Sequence, residues 1–153
     1  MDDGRLIQIV DVALAEAARI SGSWLACRPG CTPCCHGEFE ISAVDVARLH
    51  AGLEKLDPAR AGAIRQRAQQ EQGDDGPCPV LDPVTGYCEL YAHRPLTCRT
   101  FGPALLQSED VVGVCELCYV GATDEEIAAC AVPLDIEQLD NSPQEITIAQ
   151  ALR

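Results

Sequence analysis

The 153-residue chain carries 24 acids against 11 bases, a formal charge of −13 and a pI near 4.4, which excludes the basic footprint of a nucleic-acid binder and the polybasic patch that seeks an anionic membrane. The charge is uneven: residues 1–106 hold 14 acids and 10 bases, whereas residues 107–153 hold 10 acids and one base, Arg153. The length accommodates a single domain over 1–153 with a real core, and no apolar run approaches a membrane span.

In chain order, Leu6, Val10, Ala13, Ala17, Ile20 and Trp24 recur at spacings of four and three, which predicts a first helix stopped by Ser21-Gly22-Ser23. A loop rich in Cys, Pro and Gly follows over residues 27–37, and its composition forbids regular structure. Ser42 with Asp45 reads as a capping box, opening a second helix with Val46, Leu49, Leu53 and Leu56 as its buried stripe. Asp57-Pro58 is an N-cap followed by proline at the first helical position, and a third helix runs through Ile64 and Ala68 to fade at Gly73. Strand-like residues 78–81 and 87–91 around a Pro/Gly turn predict a small hairpin. Residues 94–99 suit one helical turn, and 111–114 a short strand. Thr123-x-x-Glu126 is another capping box, with Pro133 ending that helix, and Ser142-Pro143-x-Glu145 opens a last one. The expected fold is mostly α with small β elements, a compact helical domain with cysteine-rich loops organised around metal.

Ten cysteines are the unusual feature. No cationic start or apolar export segment stands at the N-terminus, so the expected setting is the reducing cytoplasm. There, grouped cysteines point to metal ligation before disulfides. The groups are Cys27-x3-Cys31-x2-Cys34-Cys35, then Cys78, Cys88 and Cys98 at equal intervals, then Cys115-x2-Cys118. Gaps of two or three residues let one turn aim two sulfurs at one centre, as in zinc knuckles and iron–sulfur sites. The adjacent pair Cys34-Cys35 is strained as a chelate of one tetrahedral ion, because neighbouring side chains diverge. No single group supplies four comfortable ligands, so the site must draw on distant parts of the chain and metal binding should be coupled to folding. Cys27, Cys31, Cys34, Cys35, Cys78, Cys88, Cys98 and Cys115 together suffice for two four-thiolate centres of zinc or iron, including a [4Fe–4S] cluster. Four thiolates around a dication leave a net charge of about −2, which Arg28, Arg94 or Arg99 could neutralise.

The series Cys-x3-Cys-x2-Cys-Cys, Glu40-Ile41-Ser42-x-x-Asp45, Cys78-Pro79, Gly86-Tyr87-Cys88-x-x-Tyr91-x-x-Arg94-Pro95-x-x-Cys98-Arg99-x-Phe101-Gly102 and Cys115 resembles the YkgJ-type cysteine-cluster family. Its first gap is x3 where many members have x2. The resemblance spans roughly residues 27–120, between helical N- and C-terminal extensions. It implies a zinc- or iron-chelating domain with eight characteristic cysteines, the same eight named above. Flagellin lysine-N-methylases carry a similar block with an associated iron–sulfur cluster, which makes an iron–sulfur redox or accessory protein of a modification enzyme the alternative reading. This chain lacks the length of such an enzyme.

Cys118 is balanced between ligand and bystander, and Cys130 reads as an inert thiol on a helix's apolar side. His36 could replace a thiolate but suits a backbone-bonded loop histidine better, and His50 and His93 read as structural. Cys31-Thr32-Pro33-Cys34 has redox spacing without the βαβ setting of that chemistry. No nucleophile elbow, phosphate loop, HExxH or dinucleotide fingerprint occurs. The chain therefore reads as a metal-binding protein before an enzyme. The metal ion is its expected partner, and its acidic last third is a solvated face before a docking surface.

Overall fold

The computed structural model describes residues 1–70 and 73–153. In chain order its elements are α1 (Asp3–Ser21), β1 (Glu40–Ser42), α2 (Ala43–Lys55), α3 (Pro58–Ala68), α4 (Leu96–Thr100), β2 (Leu105–Ser108), β3 (Val111–Gly113), α5 (Asp124–Cys130), β4 (Val132–Pro133), α6 (Ile136–Leu139), β5 (Gln144–Thr147) and α7 (Ile148–Leu152). About 48% of the chain is helical and the strands form only small sheets, as the composition of the segments predicts. The chain divides into two compact units: Met1–Arg28 with Arg99–Asn141, and Pro29–Cys98 with Ser142–Arg153.

In the first unit, Asp2 caps α1 by accepting the Arg5 N–H, and Gly22 ends the helix at φ 54°. That left-handed backbone is costly for any residue with a Cβ, which is why the Ser-Gly-Ser signal is a true stop. β2 pairs antiparallel with β3 and parallel with β4. Thr123 and Glu126 make the full reciprocal cap of α5. That helix already ends at Cys130, and Pro133 lies in β4. A core of Ala104, Cys118, Tyr119 and Cys130 is flanked by Trp24, Leu25, Val112, Val114 and Ile127. Tyr119 adopts φ 58°, an uncommon conformation for a bulky residue. It is held there at both ends: its N–H donates to Trp24 O at 2.8 Å, and its hydroxyl accepts the Ala104 N–H at 2.8 Å and bonds Ser21 Oγ at 2.7 Å.

The second unit carries the cysteine loops. Asp57 and Pro58 start α3 as the sequence predicts, Asp57 accepting the Arg60 N–H. The helix spans Pro58–Ala68, and residues 71–72 of the predicted run to Gly73 lie outside the described residues. Leu49 and Leu53 of α2 pack with Ile64 and Ala68 of α3, with Val80 and Leu90 from the cysteine turns, and with Ile148 and Leu152 of α7. The helix predicted to open at Ser142 is a misplacement. Residues Gln144–Thr147 form β5, antiparallel to β1, and α7 begins only at Ile148 behind a Thr147/Gln150 capping box. Strand pairing with Glu40–Ser42, a contact distant in sequence, overrides the local capping signal.

Ser42 does cap α2, accepting the Asp45 N–H at 3.2 Å. Asp45 is not the reciprocal arm of a box. Its carboxylate is buried, paired with Arg48 and bonded to the Leu96 N–H. The predicted hairpin around Asp82–Gly86 exists as a single antiparallel bridge, Leu81 to Cys88, with Asp82 N–H to Tyr87 O and Glu89 N–H to Val80 O both at 2.9 Å.

Candidate metal centre

Six of the eight predicted ligands, Cys31, Cys34, Cys35, Cys78, Cys88 and Cys98, fall in the second unit, and Cys27 and Cys115 in the first. Among the described residues, which include all ten cysteines, no disulfide forms. In the second unit, three short pieces of backbone bring the thiols together.

The first is a single 3₁₀ turn, Pro33–Cys35, the regular structure that forms inside the cysteine loop. Proline fits its first position because no backbone donor is needed there. The turn closes with the Cys35 N–H on Thr32 O at 2.8 Å. It is then tied to the second piece, with Cys78 N–H donating to Cys35 O at 2.7 Å and Gly37 N–H to Gly76 O at 2.8 Å. His36 Nδ1 lies 3.0 Å from Thr32 O, so this histidine is engaged by backbone as expected.

The second piece is a pair of like turns, Cys78-Pro79-Val80 and Cys88-Glu89-Leu90. In each, the N–H two residues after the cysteine donates to its sulfur: Val80 to Cys78 and Leu90 to Cys88. Such bonds favour the thiolate, and the two turns are set against each other by the Leu81–Cys88 bridge. The buried side chains of Val80 and Leu90 anchor both turns in the core.

The third piece is α4, which carries Cys98. Asp45 receives the Leu96 N–H at its start, and Cys98 packs against the same core as Cys78 and Cys88.

The thiols are mutually close in an electrostatic sense. Burial, then Cys35 and Cys31, push the Cys34 thiol up to about 11. Cys34 is itself an exposed residue, but its sulfur is turned toward Cys35, within hydrogen-bond reach. Burial, then Cys88 and Cys35, raise Cys78 to about 12, offset by the Val80 N–H and Arg67. Burial followed by Cys78, Cys88, Cys35 and Cys34 raises Cys98 still further. Burial also raises Cys35 and Cys88, and in both Arg94 works in the opposite sense. Arg94 itself stacks its guanidinium 3.7 Å from the centre of the Tyr91 ring and donates from Nε to Tyr91 O at 2.9 Å. Arg99 ion-pairs with Asp11 at 2.9 Å.

Among the described residues, no group of three or more His, Cys, Asp or Glu side chains is arranged so that it could hold a metal ion. The donor chemistry fits zinc or iron, which favour thiolate, and sulfurs that repel one another when ionised gain most from a cation among them.

The remaining candidates separate cleanly. Cys118 and Cys130 are buried in the core of the first unit. Cys27 packs on Gly102, where an added Cβ would lie 3.3 Å from its sulfur, and Gly102 O accepts the Cys115 N–H at 3.1 Å. His50 Nε2 bonds Ala151 O at 2.7 Å, and His93 Nε2 meets Lys55 Nζ at 3.1 Å. The sequence reading missed Asp45, Arg67 and Glu89 as residues that support the site. One signal was available: Arg60 and Arg67 stand two turns apart on one face of α3, as two cations would around a shared acid. That acid is Glu89, beside Cys88.

Among the described residues no helix is long and apolar enough to cross a membrane. No curated protein and no solved structure matches the chain. A family match does cover residues 26–131, from just before Cys27 to just after Cys130, and by it the chain belongs to the CxxCxxCC family, described as a putative zinc- or iron-chelating domain.

Proposed function

We propose that this protein chelates zinc or iron through the thiolates of Cys27, Cys31, Cys34, Cys35, Cys78, Cys88, Cys98 and Cys115, and that it does so in the cytoplasm, where its thiols stay reduced. The observation that carries this reading is the gathering of six thiols in one unit, two of them receiving backbone N–H groups and two feeling the positive charge of Arg94. Inert core cysteines need neither. Within this group we assign Cys35, Cys78, Cys88 and Cys98 to one four-thiolate set, since each of them is coupled to all three of the others, whereas Cys34 is coupled only to Cys35 and Cys98 among them. The bound ion would supply cross-linking of three sequence-distant segments, so that its binding is also folding energy.

Anaerobic purification followed by elemental analysis and visible absorption tests the proposal. At least one equivalent of zinc or iron per chain is expected. A brown protein with sulfide-to-iron charge transfer identifies an iron–sulfur cluster and favours the redox or accessory role, whereas a colourless protein with stoichiometric zinc identifies a chelating module. A folded, reduced protein with no metal and no affinity for either ion would refute it.

A further inference from the structure

The two turns that present Cys78 and Cys88 share one side chain outside the cysteine pattern. Arg67, on the last turn of α3, donates from Nε to Pro79 O at 2.8 Å and from Nη2 to Glu89 Oε2. Pro79 is the middle residue of the first turn and Glu89 of the second. Glu89 is held on its other oxygen by Arg60 Nε at 3.1 Å, and its side chain is only 8% exposed. The planar guanidinium thereby makes a two-point contact across both turns, a geometry that a lysine's single ammonium cannot reproduce. The same cation works on Cys78 in the direction of ionisation.

We propose that Arg67 is a positioning residue for the thiolate centre. It fixes the register of the two cysteine turns, so that the Val80 and Leu90 N–H groups reach the sulfurs before an ion arrives. Its purpose rests on the metal reading above; the clamp itself does not. Outer contacts of this kind are worth about 10- to 100-fold in metal affinity. Arg60 touches the same carboxylate from its exposed side but not Pro79, and therefore serves as the control.

The test compares wild type, Arg67→Gln, Arg67→Lys and Arg60→Gln. Cobalt(II) is titrated anaerobically into the reduced full chain and followed by its thiolate charge-transfer and d–d bands. Amide hydrogen exchange at Val80 and Leu90 is measured on the metal-free proteins. Arg67→Gln should weaken cobalt binding about 10- to 100-fold and speed exchange at both amides, with the amides of Leu49 and Leu53 unchanged. Arg67→Lys should recover part of the affinity through its charge, and Arg60→Gln should stay near wild type. Wild-type cobalt affinity in Arg67→Gln, or equal losses in Arg67→Gln and Arg60→Gln, would overturn the proposal. If the wild type takes up no cobalt, the metal reading fails, and unchanged exchange at Val80 and Leu90 in Arg67→Gln would then dispose of the clamp as well.

Discussion

The carboxylate of Asp45, at the start of α2, accepts the backbone N–H of Leu96 at 3.0 Å while pairing with Arg48. The two charged side chains are 3% and 5% exposed. One buried acid thus caps its own ion pair and the turn that leads to Cys98. Burying such a pair is not itself a large source of stability, but breaking it leaves one charge without compensation.

Asp45→Asn keeps an oxygen for Leu96 but removes the negative charge paired with the buried Arg48 cation. It is expected to destabilise the protein by about 3–5 kcal/mol, read from the urea midpoint at constant slope. A loss below about 1 kcal/mol, the scale of an exposed pair, would show that the pair is hydrated in solution.

Serine at Cys98, Cys88 or Cys78 should remove metal and lower solubility, whereas serine at Cys130 should leave metal content at the wild-type level. Cys130 is buried in the core of the first unit, so its variant is expected to cost about 1–3 kcal/mol of stability from the buried hydroxyl. Metal analysis of the purified variants decides; equal metal loss at Cys130 and Cys98 would reverse the assignment.

Cys34 and Cys35 should differ. The 3₁₀ turn brings their sulfurs within hydrogen-bond reach, closer than extended backbone would allow. Cys35 also couples to Cys78, Cys88 and Cys98, whereas the exposed Cys34 couples to Cys98 alone of those three. Cys35→Ser should therefore lose the equivalent bound by Cys78, Cys88 and Cys98, and Cys34→Ser should retain it. Identical metal loss from both variants, or both sulfurs on one isolated zinc, would contradict this assignment.

The pH dependence should reverse sign with metal. Without it, the folded state holds these thiols above their ordinary value of 9.0, with Cys34 near 11 and Cys78 near 12. Because the folded chain then binds more protons than the unfolded one, their contribution is complete below about pH 9 and is lost as pH rises through the folded values. With zinc bound the thiolates are the ligating form, so protons compete and stability falls toward acid. Unfolding midpoints across pH with and without zinc should show opposite limbs. A metal-free midpoint that stays flat well above about pH 9 would be inconsistent with buried thiols.

How far the sequence revealed this arrangement depended on range. Signals that act within one turn placed helix ends correctly: Asp57 and Thr123 start helices by accepting a backbone N–H three residues on, and Gly22 ends α1 through its left-handed backbone. Ser142-Pro143-x-Glu145 carried the same kind of local signal and misled, since Gln144–Thr147 is fixed by pairing with Glu40–Ser42. The cysteine spacings pointed to the thiols but not to their partition between the units, which tertiary contacts decide. Asp45 read as a local cap because nothing in its neighbourhood foretells a bond to Leu96.

The antiparallel pairing of β1 with β5 has a consequence for biosynthesis. Ile148 and Leu152 complete a core whose other members lie between Ile41 and Leu90, and all six thiols of that unit precede them in the chain. A ribosome therefore releases every thiol of the second unit before the segment that closes over its hydrophobic side has been made. During that interval the cysteine turns are open to whatever ion or oxidant is at hand, so metal supply and thiol protection matter most while the chain is still growing.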